Sequence, residues 1–171
     1  MKINWKSTFQ LIGIGLLLIL GVMIILPNFL NVQGGPARQA EGPTVTGTMN
    51  RAQQYLFKEN NQFTTNFEEL GIGLKSETED YVYKIVFQSN PQSVMNIGQA
   101  KRKGFKSYVG LVYVVKVGEE YTTITKMCKS IKSSPLSKLP QIPELPKNAA
   151  TSEDINCPSG FKPLYPRSKK R

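Results

Sequence analysis

The sequence predicts an α+β protein: an N-terminal transmembrane helix leads into one exported domain, in which one helix packs on a three- to four-stranded antiparallel sheet and a C-terminal loop is closed by a disulfide. Three observations carry this. Residues 9–30 are apolar except for Gln10 and Asn28; Val45, Met49, Ala52 and Leu56 recur at helical spacing; and residues 81–88, 107–117 and 121–129 are rich in aromatic and β-branched side chains.

The apolar run measures about 33 Å as a helix, enough to cross a bilayer core, and the span is taken as 9–32. Lys2 and Lys6 precede it and Arg38 is the sole basic residue in the fifteen that follow, so residues 1–8 stay cytoplasmic and the rest is exported to a periplasm or lumen. A cleavable signal peptide, with Val32 and Gly34 as the small residues before the cut, is the rival reading, and the length of the run favours a retained anchor.

Gly34, Gly35, Pro36, Gly42 and Pro43 mark residues 33–43 as a linker that interrupts any helix continuing from the span. The exported domain is expected over 44–166, with residues 167–171 a basic tail. Its helix runs from Thr44, as N-cap, to Glu59, with Asn60 and Asn61 as stop residues.

The segment 107–117 is apolar on both faces and belongs at the centre of the sheet. Gly118, Glu119 and Glu120 join it to 121–129 as a hairpin. Beyond Lys129, Pro135, Pro140, Pro143 and Pro146 predict an extended loop and no further packed element.

The chain has no histidine, which excludes histidine-based catalysis. It shows no Gly-rich phosphate loop, paired-carboxylate motif or metal-ligand spacing, so no enzyme and no cofactor is expected; Glu68, Glu69, Glu77, Glu79 and Asp80 read as surface charge. Cys128 and Cys157 are too far apart for a redox Cys-x-x-Cys, and an oxidising compartment favours a structural bridge between them over two unpaired thiols.

With 22 basic against 12 acidic residues the formal charge is +10, which favours acidic partners. Lys101, Arg102, Lys103 and Lys106, beside Phe105, put four positive charges into six residues and form the candidate interaction loop. An acidic protein face is the expected partner there and DNA a lesser alternative; a solvated hairpin loop is the reading without function.

The run Met49-Asn50-Arg51-Ala52-Gln53-Gln54-Tyr55, then Glu59-Asn60-Asn61-Gln62-Phe63, then Phe67-Glu68-Glu69-Leu70-Gly71, together with Ser107-Tyr108-Val109-Gly110, resembles the type IV pilin-like G/H family of cyanobacteria. The resemblance covers roughly residues 9–130 and is most specific over 44–72. It implies a pilin-like fold and a minor pilin, pseudopilin or assembly component whose partners are membrane lipid, along 9–32, and other membrane or pilus proteins. The alternative is an accessory subunit of another membrane complex, such as a thylakoid complex with the domain in the lumen.

Filament-forming members carry a glycine before the cleavage point and then Phe-Thr-Leu-Ile-Glu. With Pro27 matched to the family's helix proline, Gln10 stands at the glutamate position and Trp5, before Lys6, at the glycine position. With Phe9 as the aromatic start, Gly13 replaces the glutamate and Thr8 the glycine. The leader is degenerate in either register, which favours an uncut helix held in lipid, since the missing carboxylate is the group that would need a partner there.

Overall fold

A computed structural model describes residues 34–87 and 92–165. The predicted span 9–32, the leader residues Trp5, Lys6, Thr8, Phe9, Gln10, Gly13 and Pro27, and the tail 167–171 lie outside these residues. No described helix is long and apolar enough to cross a membrane. The chain divides into two compact units, 1–38 and 39–171, and of the first only the opening residues of a helix are described.

That helix, α1, spans Gly34–Asn60. It corrects the linker expected over 33–43, because the chain is helical through Gly42 and Pro43. Pro43 has no N–H to give to the carbonyl four residues back. The carbonyl of Gln39 instead accepts from the Tyr81 hydroxyl at 3.3 Å, so the sheet repairs the bond the proline removes.

Gly42 is required by the same contact, since a Cβ there would lie 2.5 Å from the Tyr81 ring. Thr44 is an interior residue and not the N-cap; its hydroxyl donates to the Ala40 carbonyl at 2.8 Å. The helix stops where the sequence predicts. Asn61 takes a φ of 54° and its N–H donates to the Phe57 carbonyl at 2.8 Å.

The sheet has five strands in sequential order, all antiparallel: β1 Tyr81–Phe87, β2 Ser93–Ala100, β3 Tyr108–Val117, β4 Glu120–Ser130 and β5 Phe161–Pro163. β3 is central as predicted, and it turns into β4 at Gly118, which has a φ of 65°. The three strands named from the sequence leave out β2, in a segment given no element, and β5, in the proline-rich tail.

Alternation along the strands divides the core in two. On one face Val45, Met49 and Phe57 of α1 pack with Tyr81, Tyr83, Val94, Tyr108 and Val112, with Ala52 and Leu56 at the margin. The predicted Val45, Met49, Ala52 and Leu56 stripe is therefore core. A second stripe, Thr46, Asn50 and Gln53, is buried beside it.

The opposite face, formed by Met95, Ile97, Val109, Leu111, Tyr113 and Cys128, is covered by Ile142 and Ile155, with Leu136 and Leu145 packed alongside. The segment after β4 has little regular structure, as expected, but it is a packed layer. Tyr113 donates to the Pro143 carbonyl at 2.7 Å and Lys126 to the Ile155 carbonyl at 2.7 Å, which pins it across the sheet.

Candidate interaction surface

The candidate loop, residues 101–106, joins β2 to β3 beside the start of β1. Four of its five predicted residues, Lys101, Arg102, Phe105 and Lys106, contact other parts of the fold, although Lys101 and Arg102 keep exposed side chains. Lys101 Nζ lies 2.6 Å from Glu77 Oε1 and donates to the Thr78 carbonyl at 2.9 Å. Arg102 pairs with Glu79 and, at 2.7 Å, with Asp80, whose side chain is only 4% exposed.

Asp80 is thus a buried ion-pair partner, which corrects its reading as surface charge. A buried carboxylate needs such a partner, and this pair fixes the loop against the β1 entry. Phe105 packs on Tyr81 with ring centroids 6.1 Å apart. Lys106 donates to the carbonyl of Ile131, and Lys103 is exposed and makes no ion pair among the described residues.

Behind the loop, the Tyr81 hydroxyl lies 3.3 Å from the carbonyls of both Gln39 and Lys106, tying the loop to α1. Tyr83 donates to Glu41 Oε1 at 3.0 Å, and Thr78 donates to the same oxygen at 2.7 Å. Burial raises Tyr81 and Tyr83 above their ordinary range, and the bond to Glu41 raises Tyr83 further by favouring the protonated phenol. These groups serve as neutral donors that hold the loop end in place.

Cys128 and Cys157 form a disulfide with an S–S distance of 2.07 Å. It joins β4 to the segment that covers the second face, as the sequence predicts.

The sequence offered no sign of a cluster at the other end of the helix. Tyr55 and Tyr121, 64% and 62% exposed, line one cleft of about 410 Å³ with Arg51 and Lys58. Tyr121 and Phe87 line its neighbour, of about 480 Å³, whose floor is Phe57, Phe63 and Val114. Exposed tyrosines over an apolar floor match the core of a protein–protein interface and not its solvated rim. Tyr55 and Tyr121 are 66 positions apart in sequence, and only the pairing of β3 with β4 under the helix end makes them neighbours.

Among the described residues, no group of three or more metal-ligating side chains gathers. The described surface offers charge at the loop end and aromatic area at the helix end.

A long helix laid on an antiparallel meander, with a disulfide closing the C-terminal segment, is the architecture of pilin-type domains. The model of the type IV pilin-like G and H family matches residues 39–158, and the chain belongs to that family. No curated protein and no solved structure matches the chain.

Proposed function

We propose that the protein is a non-enzymatic, membrane-anchored structural protein that joins a type IV pilus or secretion pseudopilus as a minor pilin or assembly component. The observation that carries this is the family match over residues 39–158. The apolar run at 9–30 supplies the anchor, with the domain on the periplasmic or lumenal side. The Tyr55 and Tyr121 cleft is the face offered to other proteins of the assembly.

A second reading is favoured by one observation, the missing glutamate at Gln10 or Gly13. In it the uncut chain is an accessory subunit of another membrane complex, for example in a thylakoid. The two are separated by tagging the C-terminus and recovering the protein from sheared surface filaments and from gently solubilised membranes, with its intact mass read in each. A shortened chain in filaments supports the pilus reading, and an uncut chain comigrating with a membrane complex supports the second. A protein found in neither fraction, free of membrane, overturns both.

A further inference from the structure

The end of the domain that holds the 101–106 loop carries charge that its own fold leaves unbalanced. Across the β4–β5 ladder Lys129 stands directly opposite Lys162. Like charges facing each other on a ladder oppose pairing. The strands continue past them: the Ile131 N–H donates to the Gly160 carbonyl at 2.9 Å, and the Gly104 N–H donates to the Ser133 carbonyl at 2.9 Å. Loop 101–106, residues 131–133 and the β5 entry are therefore one hydrogen-bonded surface.

On that surface Lys103, Lys129, Lys132 and Lys162 make no ion pair among the described residues. The nearby carboxylates of Glu77, Glu79 and Asp80 are already engaged by Lys101 and Arg102. Among the lysines stands Ile131, 57% exposed. An exposed aliphatic side chain on a surface that bears unpaired lysines matches a bilayer interface, where the apolar group enters the acyl boundary and long lysines keep their charge at the phosphate level.

Chain length favours a membrane over an acidic protein. Tyr81 ties the loop to Gln39, and only residues 33–38 separate Gln39 from the end of the predicted span, at most about 20 Å of chain. The described chain ends at Tyr165, which lines a cleft with Ala40 and Pro43.

We propose that this surface docks on the anionic headgroups of the membrane that holds the anchor, through Lys103, Lys129, Lys132 and Lys162 around Ile131. The inference rests on the anchored reading and adds an orientation to it: the loop end lies on the bilayer, and the Tyr55 and Tyr121 end points away.

The test is hydrogen exchange on the full chain reconstituted into lipid discs of phosphatidylcholine alone or with one third phosphatidylglycerol. Amides of 102–104 and 131–133 are expected to exchange more slowly in the anionic discs. The protection should weaken at high salt, and by about fivefold for each of K103Q, K132Q and K162Q. Unchanged protection of β3 shows that the variants are folded.

Equal exchange in the two kinds of disc overturns the docking and leaves the anchor standing. A chain that enters neither kind overturns the anchored reading, and this inference with it. Protection by added duplex DNA in neutral discs, without an effect of phosphatidylglycerol, gives the surface to nucleic acid and overturns the lipid assignment.

Discussion

Asn96 on β2 donates its side-chain amide to Asn50 Oδ1 on α1 at 2.8 Å, and both residues are buried. Asn50 in turn donates to the Thr125 hydroxyl at 2.6 Å, which donates to the Leu111 carbonyl at 2.7 Å. One polar chain thus crosses from helix to three adjacent strands, and one oxygen of the network, Asn96 Oδ1, is buried with no partner among the described residues. Asn50→Leu strands the Asn96 amide as well and is expected to cost about 2 to 3 kcal/mol in urea unfolding. Adding Asn96→Val should recover most of that loss, since both unmet polar groups leave together. A double variant as unstable as the single one would show that the pair holds more than its own bond.

Gly110 lies under this network, where a Cβ would stand 2.0 Å from Asn50 Oδ1. Gly110→Ala therefore lifts the helix from the sheet and is expected to cost about 1 to 3 kcal/mol. Gly47, on the same helix, has nothing closer than Arg51 at 3.8 Å, and Gly47→Ala should stabilise by about 0.5 to 1 kcal/mol. Opposite signs in thermal unfolding of these two variants are the expected result.

The buried phenols set an alkaline limit. Desolvation raises Tyr81, Tyr83 and Tyr113 above the ordinary value of 10.0. An unfolded chain releases these protons near pH 10 while the folded one retains them, so their contribution is complete below pH 10 and lost as pH rises above it. Phenolate absorbance from these residues should grow in one cooperative step together with the loss of far-ultraviolet dichroism.

Cys128 and Cys157 are 29 residues apart, and the intervening segment supplies Ile142 and Ile155 to the second face. Reduction is expected to lower stability by about 3 to 4 kcal/mol on the chain-entropy account and to expose residues 131–157 to proteases first. Labelling of both cysteines by an alkylating reagent without reductant would contradict the bridge.

The helix stripe, the central β3, the β3–β4 hairpin and the disulfide were legible because each has a local signal. β2 was not, because its residues answer to the helix and not to strand propensity. Asn96 reaches Asn50, and at Gly98 a Cβ would stand 2.5 Å from Thr46 Oγ1, so small and polar side chains replace the β-branched ones a strand ordinarily shows. The start of α1 was obscured for a related reason: Gly42 and Pro43 read as breakers, and the Tyr81 ring and hydroxyl that accommodate them come from 39 and 38 positions further on. In the loop, spacing showed the charge of Lys101 and Arg102 but not the carboxylates that neutralise it, and the Tyr55 and Tyr121 cleft exists only through tertiary pairing.

The most direct test of an assembling, anchored pilin-like protein is site-specific photo-crosslinking from position 121 in cells. A crosslinker replacing Tyr121 should give adducts with other membrane or pilus proteins, and Tyr55→Ala should weaken them by removing the facing wall of the cleft. A folded, membrane-bound protein that gives no protein adduct from that position would contradict the account.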